Sequence, residues 1–207
     1  RGDTNALPGM IVALEGDSDA EVRLEVAERL GSFDKDLRIV TALIKSLQSD
    51  SDAKVRARAG AALSRVAPLA SVPLLTCALT NDAAEEVRVS AAEKLGNLKA
   101  SNAIPALLVS VQFDSNSSVR VKAALALSEM RSPEVIARLV TALQAATNEA
   151  VRGVVTDTLH SFDHSDLMVI LWEVANDSRG RSDREDVAAG RPQESLAALV
   201  PLLQPVM

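Results

Sequence analysis

A valine followed by an arginine occurs at Val22-Arg23, Val55-Arg56, Val87-Arg88, Val119-Arg120 and Val151-Arg152, at intervals of 33, 32, 32 and 32 residues. A fixed period of this length restricts the fold before any local propensity is considered, because it signals one supersecondary unit stacked on copies of itself. Four residues beyond each valine stand Val26, Ala59, Ala91, Ala123 and Val155, and eight beyond stand Leu30, Leu63, Leu95, Leu127 and Leu159. That spacing draws one apolar stripe along a helix. A second ladder, Leu43, Leu75, Leu107, Leu139 and Leu171, keeps the interval of 32, with Leu47, Leu79, Val111 and Leu143 one turn further on. Each period therefore holds two helices.

The helices are predicted over 6–15 and 19–31, 36–48 and 52–66, 71–80 and 84–97, 102–112 and 117–130, and 133–144 and 148–161, with a sixth unit starting at 166–176. Turns such as QSDSDA, TNDAAE and FDSNSS carry Asp, Asn and Ser, which accept hydrogen bonds from the unpaired N–H groups of a helix start. Pro73, Pro105 and Pro133 are expected in or just before first turns, where a missing N–H costs little. Apolar residues recur at three and four rather than two, so no strand is expected.

A hairpin of two such helices leaves apolar flanks that only neighbouring hairpins can cover, which predicts an all-α solenoid of five to six hairpins in one domain over 1–176. The small residues Ala59, Gly60, Ala61, Ala62, Ala91, Ala92, Ala123 and Ala124 suit close helix approach. Residues 177–195 are polar and charged with both signs, as an exposed loop would be, and 196–207 read as a last apolar helix that caps the stack.

Composition narrows the function. The 22 basic and 28 acidic residues leave a net charge of -6, which argues against nucleic acid and anionic membrane surfaces as partners. No apolar run is long enough to span a bilayer. No secretory leader is expected from the sequence as written, which opens on Arg1 rather than methionine as suits a fragment or processed form, and the expected location is cytoplasmic. The single cysteine, Cys77, lies in PLLTCALT and is expected to be a small buried thiol, the alternative being a reactive or chromophore-carrying one.

The segment D-x-x-x-x-V-R-x-x-A-A-x-x-L, present as Asp82 to Leu95 and Asp114 to Leu127, resembles the short bacterial HEAT-like repeat of the type first associated with phycobilisome lyases. The resemblance covers roughly residues 6–176. It implies a structural ladder between neighbouring repeats, here Arg23, Arg56, Arg88, Arg120 and Arg152 with Asp17, Asp50, Asp82 and Asp114; the fifth unit has Ala146 instead of an aspartate. It also implies an alternative function, a bilin lyase or chaperone-lyase subunit. Neither the ankyrin nor the tetratricopeptide signature is present.

Reactive constellations are scarce. The cluster DTLHSFDHSD gathers Asp157, His160, Asp163, His164 and Asp166 at spacings that a divalent metal could use, but it also reads as a helix end followed by capping aspartates. HEAT-like deoxyhypusine hydroxylases hold iron on His-Glu pairs, which this chain lacks, so no metal or other cofactor is expected. No nucleophile elbow, phosphate loop or Cys-x-x-Cys occurs. HEAT-like DNA glycosylases use a basic concave face with aromatic contacts, whereas Phe33, Phe113, Phe162 and Trp172 are expected in core or inter-repeat packing. The pattern LVPLL at Leu199 to Leu203 is a weak match to a groove-binding helix.

The remaining candidate is a surface along the second helices. Positions three and seven after each ladder valine are expected to point outward: Glu25, Arg29, Arg58, Ala62, Ser90, Lys94, Lys122, Ala126, Val154 and Thr158. Mixed charge at fixed geometry suits recognition of another protein or a peptide segment by a non-catalytic scaffold.

Overall fold

The computed structural model describes residues 6–34, 36–130, 133–145 and 149–162. The expected sixth unit, the loop at 177–195, the capping helix at 196–207 with its LVPLL pattern, Trp172, Asp163, His164 and Asp166 lie outside these residues. The chain divides into two units, 1–130 and 131–207.

Within the first unit, four helical hairpins follow one another: α1 (Leu7–Gly16) with α2 (Ala20–Leu30), α3 (Leu37–Ser49) with α4 (Ala53–Val66), α5 (Pro68–Asn81) with α6 (Glu85–Asn97), and α7 (Ile104–Phe113) with α8 (Ser117–Met130). First helices pack in one row and second helices in another, the two-layered arrangement of an α-solenoid. The second unit contributes one further hairpin, α9 (Pro133–Ala145) with α10 (Glu149–His160). No strand occurs among the described residues.

Local chemistry explains the helix boundaries. Asp19, Asp52 and Asn116 cap α2, α4 and α8 through side-chain oxygens that accept backbone N–H groups of the first turn. The start of α6 departs from this pattern: its N-cap is Ala84, without a side-chain cap, and Glu85 and Glu86 supply negative charge to the exposed N–H groups instead. Pro105 and Pro133 fall in the first turn of α7 and α9. Pro73 does not, because α5 begins at Pro68, earlier than the expected residue 71, and Pro73 sits inside the helix. The carbonyl that this proline leaves without its helical donor belongs to Leu69, an exposed residue within reach of water.

The core is built from both ladders. Leu43, Leu75, Leu107 and Leu139 are buried, as are Val55, Val87, Val119 and Val151 and the leucines eight residues beyond each of these valines. The first valine differs. Val22 is 38 % exposed, and α2 buries Arg23, Ala27 and Leu30.

Two glycines set the separation of the second helices. A Cβ on Gly96 would stand 2.7 Å from both Cα and Cβ of Ala126, and one on Gly31 would stand 2.9 Å from Cβ of Ala62. The helices meet there at backbone distance, which only a small residue on each side permits.

Candidate functional site

The sequence places two sets of polar residues at fixed intervals, and the fold puts them on different parts of the first unit. The first set forms a ladder along the edge where first helices turn into second helices. Arg23, Arg56 and Arg88 donate through Nε and Nη2 to the two carboxylate oxygens of the aspartate one repeat further on. Arg23 bonds Asp50 at 2.9 and 2.9 Å, Arg56 bonds Asp82 at 2.9 and 2.9 Å, and Arg88 bonds Asp114 at 2.8 and 3.0 Å. Nη1 of each turns back to the carbonyl of its own turn, on Asp17, Asp50 and Asp82 respectively, at 2.8 to 2.9 Å. One planar guanidinium thus ties two consecutive turns together, a geometry that the point charge of lysine cannot reproduce.

The receiving aspartates are anchored from below as well. Oδ1 of Asp50, Asp82 and Asp114 accepts the N–H of Asp52, Ala84 and Asn116. Burial pushes the three carboxyls up, but the arginine fork, the backbone N–H and the charge of the next arginine outweigh it, and all three stay below the usual carboxylate range. Asp17 takes part only through its carbonyl and through its side chain, which accepts the N–H of Asp19.

At the fourth repeat the ladder changes. Arg120 donates Nη1 to the carbonyls of Asp114 and Ser115, yet its Nε is buried without a hydrogen-bond partner. The period places Ala146 where the next carboxylate would stand, and Ala146 lies outside the described residues. In the second unit Arg152 is exposed.

The second set lies on the second helices. Glu25 and Arg29 are exposed and bonded to each other across one helical turn. Arg58 is exposed and, together with Arg65, grips Glu28 of the preceding second helix. Ser90, Lys94 and Lys122 are half-buried; Ser90 donates to the carbonyl of Ala57, while Lys94 and Lys122 converge on Glu93. The hydrogen bond from Arg58, with Arg65 beside it, holds the carboxyl of Glu28 below its ordinary value against an opposing push from burial, and Lys94 with Lys122 does the same for Glu93.

Three expected surface positions are not on the surface. Ala62, Ala126 and Thr158 are buried. For Ala62 and Ala126 the reason is the close approach at Gly31 and Gly96, which turns the position seven residues after the valine into a contact between second helices. Thr158 donates its hydroxyl to the carbonyl of Val154 in its own helix. Glu28, Glu93 and Arg65, which complete the surface network, were missed. They stand six or ten residues after the valine, so with position three they form an i, i+3, i+7 strip that a helical wheel would have drawn.

Two other expectations are corrected. Cys77 is exposed rather than buried, because Leu75 and Leu79 take the inward stripe of α5. Phe113 is 75 % exposed, whereas Phe33 packs partly against the core and Phe162 is buried. Asp157 and His160 are exposed on α10, and no group of three or more His, Cys, Asp or Glu side chains among the described residues could hold a metal ion. No helix among the described residues is long and apolar enough to cross a membrane.

Hairpins stacked at a 32-residue period and joined by a buried arginine-aspartate ladder define an α-helical repeat protein. The family model for HEAT repeats matches residues 1–64 and 72–160, and the chain belongs to the HEAT-repeat family. A search of curated proteins finds no match. Among solved structures, the complex of CpcE and CpcF of phycocyanin lyase from Nostoc sp. PCC7120 is similar, with a TM-score of 0.57, 22% identity, and coverage of 75% of this chain and 99% of that one. Human deoxyhypusine hydroxylase in complex with glycerol aligns at a TM-score of 0.33 and 19% identity, covering 79% of this chain and 86% of that one.

Proposed function

We propose that this HEAT-repeat chain is a non-catalytic scaffold that binds another protein or a peptide segment along its second-helix surface, through Glu25, Arg29, Arg58, Ser90, Lys94 and Lys122. The observation that carries the reading is the pairing of that surface. Glu28 and Glu93 each bind cations from the next second helix, so the exposed charges are held in place before any partner arrives. A preordered surface of mixed sign loses little side-chain entropy on binding and discriminates partners by charge pattern. The test is affinity capture from the native cell with the intact chain and with an Arg58→Glu, Lys94→Glu, Lys122→Glu variant, analysed by mass spectrometry. Proteins retained by the first and lost by the second support the reading; the same proteins on both would reject it.

The second reading, a bilin lyase or chaperone-lyase subunit, draws on the fold shared with the phycocyanin lyase complex and on no side chain of this chain. Absorbance of the purified protein mixed with a bilin, with and without an acceptor apoprotein, separates the two. An unchanged spectrum removes the lyase reading.

A further inference from the structure

The four ladder arginines of the first unit start alike and end differently. Each follows its ladder valine by one residue and lays Nη1 on carbonyl oxygen of its own turn, which fixes the plane of the guanidinium. For Arg23, Arg56 and Arg88 the other edge, Nε with Nη2, closes on an aspartate carboxylate at 2.8 to 3.0 Å. Arg120 keeps the Nη1 contacts, at 2.8 Å to Asp114 and 3.2 Å to Ser115, and leaves that edge open. Among the described residues neither its Nε, which is shielded from water, nor its Nη2 has an acceptor.

The acids around it do not fill the gap. Both oxygens of Asp114 are engaged, Oδ2 by Nε of Arg88 and Oδ1 by Nη2 of Arg88 and the N–H of Asn116. One period after Asp114 the sequence has Ala146 in place of an aspartate. Arg120 is therefore the one arginine of the four without an ion pair among the described residues.

An arginine in this state is prepared for a ligand in three ways. A shielded N–H without an acceptor keeps the cost of its lost hydration, and a hydrogen bond to it recovers that cost. The guanidinium is already held on one edge, so docking on the other orders little. The open edge presents two parallel N–H groups, which match the two oxygens of a carboxylate and not a monatomic anion.

We infer that Arg120 is a binding site for one carboxylate group, which takes on Nε and Nη2 the place that an aspartate holds in the three preceding repeats. The carboxylate belongs to an aspartate or glutamate of a partner segment or to a small free acid. The site lies at the turn edge and uses no residue of the second-helix set, so it stands or falls separately from the scaffold reading.

The test is a titration of the full chain at neutral pH, followed through the arginine Nε–H signals in proton–nitrogen NMR spectra, with sodium chloride replaced stepwise by the probe. The probes are acetate, a free acid group, and N-acetyl-aspartate N-methylamide, the same group in a peptide setting. The Arg120 signal, identified by its loss in Arg120→Lys, is expected to move downfield and saturate with a midpoint of about 10–100 mM, as suits a single two-pronged contact. The signals of Arg23, Arg56 and Arg88, whose forks are occupied, are expected to stay in place. A midpoint lower for the capped aspartate by about threefold or more assigns the site to a partner segment; any other ratio assigns it to small free acids. The neutral N-acetyl-asparagine N-methylamide should leave the Arg120 signal where it is. No movement with either carboxylate, or an equal movement with the neutral amide, overturns the inference.

Discussion

The turn edge and the second-helix surface are both polar, both recur with the repeat, and obey opposite rules. Along the edge, one arginine and one aspartate meet in the same fork in three successive repeats, with both side chains largely buried. Across the second helices the position three residues after the valine is Glu25, Arg58, Ser90, Lys122 and Val154, never the same twice. The difference is one of solvation. A buried fork tolerates no substitute, because a lone charge left there keeps its desolvation cost without its partner, whereas an exposed pair can be exchanged at little cost.

The largest expected effect breaks the edge. Arg88→Met strands the Asp114 carboxylate and is predicted to lower unfolding stability by about 3 kcal/mol, read from urea denaturation at neutral pH. Protonation attacks the same forks together. Asp50, Asp82 and Asp114 have depressed pKa values in the folded protein, so their contribution is complete above the unfolded value of about 3.9 and is lost as pH falls through the lower folded values. Unfolding free energy should hold steady from pH 7 to 5 and drop below about pH 4, and Arg88→Met should flatten that drop; a parallel curve for the variant would mean that the fork is not its source.

Smaller effects sharpen the contrast. Gly96→Ala drives a Cβ into the Ala126 backbone and should cost about 1–3 kcal/mol, while Gly9→Ala, in open space within a helix, should gain about 0.5–1 kcal/mol. Arg120→Met loses carbonyl contacts but no carboxylate fork and relieves a buried Nε, so its cost should be about 1 kcal/mol. A loss as large as that of Arg88→Met would show that Arg120 has an equivalent anchor. Glu25→Gln, which removes one exposed pair on the second helices, should change the thermal midpoint by an amount worth less than about 0.5 kcal/mol.

Much of the architecture was legible in the sequence. The two ladders located α2 to α10, and the aspartates of the turns marked both caps and fork partners. The start of α5 was not legible, since Pro73 reads as a first-turn residue unless Pro68 is recognised as an earlier one. Nor was Cys77, whose apolar neighbours conceal that it lies two residues from each buried leucine and so on another face. The candidate surface was half legible: Glu25, Arg29 and Arg58 are exposed, but the acids that organise the cations, Glu28 and Glu93, carry no signal stronger than their place on a helical wheel.

What the sequence by itself determined is the repeating unit, two helices with their inward stripes and turns, because periodicity and capping are properties of one helix and its ends. Only the tertiary structure decided that Ala62 and Ala126 are interior, that Arg23, Arg56 and Arg88 each reach the following repeat, and that Phe113 stands in solvent. The first depends on how closely neighbouring second helices approach, set by glycine against alanine at their contact, and the others on which side chains of successive repeats the stacking brings together, which no single helix reveals.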